Sequence, residues 1–149
     1  MSSPDLLRRV VLPVADVDDA RRTCAVALPY IANANGEVIA TYVIETNPGG
    51  VNKSSPEAMA EIADETLGIV EAESKEHDVP VKTEVRYGPT IAPSILDLAR
   101  TTEATSVGFI ARPGSRWVKL LSGDTAISLI TQNNHPIVVF PRSEPPLTG

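Results

Sequence analysis

Short apolar runs alternate along this chain with stretches of helical period. Val10-Val11-Leu12-Pro13-Val14 is compact and rich in β-branched residues, the pattern of a strand buried on both faces of a parallel sheet. Pro13 belongs at its end, because proline cannot donate to the ladder. Asp16, Asp18 and Asp19 then precede Ala20, Cys24, Ala27, Leu28 and Ile31, spaced for one helix face, with acids in the first turn where they complement the helix dipole. Pro29 predicts a kink or an early end to that helix. Asn35-Gly36 makes a turn and Glu37 to Ile44 reads as a second strand; the polar stretch TNPGGVNKSS after it predicts a disordered loop. Ser55 and Pro56 supply an N-cap and a first-position proline for a long helix whose predicted buried stripe is Met59, Ile62, Ala63, Leu67 and Val70.

Val79 to Tyr87 sets Val81, Thr83, Val85 and Tyr87 on one side and Lys82, Glu84 and Arg86 on the other, predicting an edge strand with one exposed face. A helix from about Thr90 to Thr101 turns Ile91, Ile95, Leu98 and Ala99 inward. Ser106 to Ala111 reads as a strand, Ser122 to Asn133 as a fourth helix and Ile137 to Phe140 as the last strand, before a loose tail over 142–149. With right-handed crossovers, this order predicts an α/β fold: an open, mostly parallel five-stranded sheet with helices on both faces, as one domain over residues 1–149.

Composition agrees with a single soluble domain: 149 residues, 42% hydrophobic and 21% charged. The chain has no apolar run near the roughly 18–20 residues that span a bilayer, and MSSPDLLRRV lacks a signal peptide's apolar core, so the expected location is the cytoplasm, away from membranes. Cys24 is the one cysteine and sits among Ala20, Ala27 and Leu28, which predicts a small buried hydrophobe rather than a nucleophile. A net charge of −6 argues against nucleic acid as a partner, since phosphate neutralisation needs surplus Lys and Arg. The charge is uneven. Residues 51–78 hold eight acids and two lysines, whereas residues 104–142 hold four basic residues and one acid.

That basic segment, ATSVGFIARPGSRWVKLLSGDTAISLITQNNHPIVVFP, reads as strand, glycine-bearing loop, helix and strand, and the loop is where a doubly wound domain would hold an anion. Arg112, Arg116 and Lys119 could pair with phosphates there, and Gly114-Ser115 could offer backbone donors; the alternative is a solvated basic loop. Trp117 reads as an anchor packing the loop on the body.

Three stretches resemble the universal stress proteins. VVLPVADVDDARRT is similar to the family's opening strand, (I/V)LVPxDGSExS; YGPTIAPSILDLA is similar to its G-x-P-x-x-x-I-x-x-x-A turn and helix. The final stretch is similar to ADLIVxGxxG-x9-G-(S/T), with Ala104, Leu120, Leu121, Gly123 and Ala126 in place and IVVFPR at the end. The resemblance implies the same α/β fold, a homodimer joined through the last strand at Ile137, Val138, Val139 and Phe140, and a nucleotide site, vestigial here, at Pro13, Val14, Ala15, Asp16, Val43, Ile110, Gly123, Asp124 and Thr125, for which Arg112, Gly114 and Arg116 of the basic loop are the alternative contacts.

The implied nucleotide signature is altered in this sequence. In gapless register the first two signature glycines become Ile110 and Pro113, and the serine or threonine becomes Asp124. Isoleucine adds bulk and proline lacks an N–H, so the loop loses room and a donor. A carboxylate about 4 Å from a phosphate charge costs on the order of 4 kcal/mol at an effective dielectric of 20, roughly a thousandfold in affinity. Where the family places an aspartate two positions after proline, this chain has Ala15, with Asp16 one step late; a one-residue shift along a strand reverses the face. A second register, with Gly108 on the first glycine and Ala111 on the second, keeps Gly108 and Gly123 but lengthens the loop and dissolves the SVGFIA strand.

No P-loop, Cys/His cluster or G-x-S-x-G is present, and His77 and His135 read as turn residues. Two functional expectations follow. One is a non-catalytic stress or regulatory module, dimeric and without a cofactor, acting through an unspecified protein partner. The other is a nucleotide-responsive switch, or a very slow ATPase, holding ATP with Mg on the basic loop 112–119.

Overall fold

The computed structural model describes residues 5–45, 56–89, 91–110 and 135–141. Five strands form one sheet: β1 (Arg9–Pro13), β2 (Glu37–Glu45), β3 (Val81–Gly88), β4 (Ser106–Ile110) and β5 (Ile137–Phe140), in the spatial order β3-β2-β1-β4-β5. Every pairing among the described strands is parallel, in keeping with the expected open α/β sheet. Three helices are described: α1 (Val17–Asn33), α2 (Pro56–Glu76) and α3 (Ile91–Thr101). The fourth expected helix, the loop after β2 and the tail lie outside the described residues.

Alternation along β1 divides the interior into two layers. Val10, Leu12 and Val14 join α1 and α2 through Ala20, Cys24, Ala27, Leu67 and Val70, while Val11 joins Ile39, Val107 and Phe109 under Ile95 and Leu98 of α3. Val10 to Leu12 are fully buried because β1 has a strand on each side and a helix layer on each face.

α1 begins on Asp16, whose backbone is extended and whose carboxylate accepts from the Asp19 N–H. It does not stop at Pro29 but runs on to Asn33. The carbonyl that proline leaves without a donor is that of Ala25, an exposed residue, so water can satisfy it while Leu28 and Ile31 hold the helix against the core. The expected Asn35-Gly36 turn then forms, with Asn35 at φ 56 and the Gly36 N–H bonded to Ile31 O at 2.9 Å. A Cβ on Gly36 would stand 1.8 Å from Leu7 O, so only glycine lets the lead into β1 cross there.

The buried stripe of α2 differs from its sequence reading. Ala63, Thr66, Leu67, Val70 and Ser74 are interior, whereas Ile62 is 41% exposed. Ile62 precedes the stripe by one residue, about 100° around the helix, and the hydroxyl residues Thr66 and Ser74 take the inward places. β3 is at the edge, as its alternation predicts, yet Thr83 and Tyr87 are exposed and Arg86 is drawn inward by Asp97 of α3 at 2.8 Å. In α3, Ala92, Ile95, Leu98 and Ala99 are buried and Ile91 is half-buried.

Candidate functional site

From β1 the chain steps to β2 and β3 on one side and later to β4 and β5 on the other. The crossovers therefore part beyond the carboxyl ends of β1 and β4, where an open α/β sheet offers its ligand crevice. The parallel pairings Val10↔Ser106 and Val11↔Val107 hold those two strands together, β1 ends at Pro13, and Ala15 and Asp16 lead away from the sheet at the crevice lip.

The sheet's hold on the lip ends at Val14, whose N–H bonds Thr41 O at 2.9 Å. After that the chain satisfies itself. Asp16 Oδ1 accepts the Asp19 N–H at 2.7 Å, and Asp19 Oδ2 accepts the Ala15 N–H at 2.8 Å. This is a capping box built from two aspartates three residues apart, with the returning carboxylate bonded one residue ahead of the cap. Asp19 is only 3% exposed; Asp18, beside it, faces outward and pairs with Arg22 at 3.0 Å. The D-x-x-D spacing carries the signal for the box, but the burial of Asp19 was not legible from it.

The expected site residues do not share one wall. Val14 and Ile110 belong to the layer under α1 and α2, while Val43 and half-buried Ala15 pack on the α3 side. The position implied for a nucleoside-binding aspartate thus holds a methyl group packed on apolar neighbours. Asp16, one step on, is exposed and caps α1. Arg112, Gly114, Arg116, Gly123, Asp124 and Thr125 lie outside the described residues. Thr41 had no sequence signal beyond its place in an apolar strand. It stands level with Pro13 in the ladder, fully buried, with Oγ1 lacking a hydrogen-bond partner.

Catalytic chemistry has little to draw on among the described residues. No group of three or more His, Cys, Asp or Glu is placed to hold a metal. Burial, reinforced by Glu73 and then Asp19, pushes the Cys24 thiol up to about 12, which keeps it protonated and unreactive. His77 Nδ1 lies 3.0 Å from Glu73 O at the end of α2.

At the last strand, Phe140 is 3% exposed and packs on Tyr30 with ring centroids 5.7 Å apart. Ile137 and Val138 are half-buried and Val139 is 51% exposed. Of the four positions expected at a dimer contact, the Phe140 side chain therefore serves the chain's own core.

The model of the universal stress protein family matches residues 7–141. The chain belongs to the universal stress protein family. Its sheet order and layers also resemble solved universal stress proteins. One from Archaeoglobus fulgidus is 18% identical, with 89% of this chain and 93% of that chain covered at a TM-score of 0.64. A family protein from Burkholderia pseudomallei is 16% identical over 92% of this chain and 98% of its own, with a TM-score of 0.70. The Archaeoglobus fulgidus protein in complex with dAMP is 18% identical over 89% of this chain and 97% of its own, with a TM-score of 0.63. No curated protein sequence matches this universal stress protein. No described helix is long and apolar enough to cross a membrane.

Proposed function

We propose that this universal stress protein is a non-catalytic regulatory module of the cytoplasm whose nucleotide crevice has been altered. It acts through protein contacts, as a homodimer joined at β5. The reading rests chiefly on the Asp16–Asp19 box. A nucleotide entering beside β1 would need free backbone donors and a side-chain acceptor at the lip, and those positions hold bonded amides, the Ala15 methyl and two carboxylates. The exposed Asp16 carboxylate at the crevice lip also opposes an incoming phosphate. In its described half the site does not fit a nucleotide held in the family's manner. The aspartate that the sequence places at residue 124 would add to that charge on the other side.

The β5 contact is supported by the half-buried Ile137 and Val138, the outward Val139 and an edge that nothing among the described residues pairs with. Light scattering at micromolar concentration should give the mass of two chains, and Val139→Arg should return it to one.

A second reading, a nucleotide-responsive switch or very slow ATPase using the basic loop 112–119 with ATP and Mg, is favoured by the relative in complex with dAMP. Thermal unfolding with and without Mg-ATP separates the two. The first reading expects an unchanged midpoint. A nucleotide present at a hundredfold its Kd would instead stabilise the fold by about 2.7 kcal/mol, and the corresponding rise would establish the second.

A further inference from the structure

We propose that the β3 edge is a homotypic pairing surface, on which β3 of a second copy of this chain binds antiparallel about a two-fold axis at Thr83. β3 closes the sheet on the side opposite β5, and Lys82, Thr83 and Glu84 are exposed along it. The Val38 N–H bonds Pro80 O at 2.9 Å, and Val38 is in register with Val81. Alternate residues of a parallel strand turn both backbone groups to the same neighbour. Pro80, Lys82, Glu84 and Arg86 therefore face β2, and Val81, Thr83, Val85 and Tyr87 direct their N–H and C=O outward.

A two-fold axis can pass through one of these outward residues or through an inward residue between two of them, so the side chains that come to face each other decide between the registers. An axis at Thr83 places Thr83 opposite Thr83 and Val81 opposite Val85, both as hydrogen-bonded pairs. It also sets Lys82 opposite Glu84 twice, in the closer non-hydrogen-bonded positions. An axis at Glu84 would oppose Glu84 to Glu84 and Lys82 to Arg86. An axis at Val85 would need Arg86 for Glu84 of the other copy, but Arg86 is drawn to Asp97 at 2.8 Å. Lys82 makes no ion pair among the described residues, and Glu84 has only a long one, 3.6 Å from Arg86, whose nearer partner is Asp97, so Glu84 can share its carboxylate with Lys82 of the other copy. Charges on an edge ordinarily turn unrelated strands away; here their order, Lys82 then Glu84, is complementary to itself when reversed.

This surface is separate from β5, so it is tested in the Val139→Arg chain, where any β5 contact is removed and, if none exists, nothing relevant is lost. Sedimentation equilibrium of that chain at high micromolar concentration should show a monomer–dimer equilibrium. Adding Lys82→Glu or Glu84→Lys should each weaken association about tenfold, because two attractive pairs become repulsive. Mixing the two variants should restore it, since each then supplies what the other lacks. The double exchange Lys82→Glu, Glu84→Lys should also dimerise. A monomer in the Val139→Arg chain, a dimer indifferent to the single exchanges, or a mixture that stays monomeric would each overturn the proposal.

Discussion

The ring of Phe140 lies over Gly108 in the neighbouring strand. A Cβ added at Gly108 would stand 2.8 Å from Phe140 Cε2, 3.0 Å from Leu12 Cδ2 and 3.2 Å from Val10 Cγ1. In the β4–β5 ladder Gly108 is opposite Val138 and Ile110 is opposite Phe140, so the ring leans back diagonally into the space glycine leaves. Tyr30 closes it from α1. That is how a residue of an edge strand comes to be almost fully buried. Gly108→Ala should destabilise the fold by about 1–3 kcal/mol through overpacking, lowering the urea midpoint, and Phe140→Leu in the same chain should recover part of the loss. An unchanged midpoint for Gly108→Ala would mean that the ring yields freely.

The hydroxyls of Thr41 and Thr66 are fully buried and unbonded. A buried donor with no acceptor carries its desolvation penalty uncompensated, and valine keeps the shape without it. Thr41→Val and Thr66→Val should therefore each stabilise by about 1 kcal/mol. Chemical denaturation reads the effect directly. Destabilisation at either site would show that its hydroxyl has a partner, such as an internal water.

Cys24 should resist thiol reagents in the folded protein at pH 8 and react as the protein unfolds. Its folded value is raised, from 9.0 to about 12, first by burial and then by Glu73 and Asp19. The neutral thiol is therefore the form that folding favours. This contribution is fully present below pH about 9 and is lost as pH rises toward about 12, where the unfolded chain gives up its proton first. Cys24→Ser should flatten that part of the stability profile. Rapid alkylation of the folded wild type would contradict the burial on which the shift depends.

The chain by itself determined the types of the described elements, the central burial of β1, the glycine turn after α1 and the edge character of β3. Each depends on the period of apolar residues or on a turn residue acting on its immediate neighbours. It also carried the family resemblance and the replacement of the implied aspartate by Ala15. Tertiary structure decided what depends on residues far apart in sequence. It placed Val43 and Ile110 in opposite layers because alternation on two different strands sends them to opposite faces. It turned Ile62 outward and Thr66 inward because the neighbouring layers, rather than helix period alone, choose which row is buried. It let α1 pass Pro29 because Ala25, whose carbonyl the proline cannot serve, is exposed while Leu28 and Ile31 are buried. Whether Asp19 would be a surface acid or a buried clasp on Ala15 depended likewise on the turn between β1 and α1, which forms only where the sheet releases the chain.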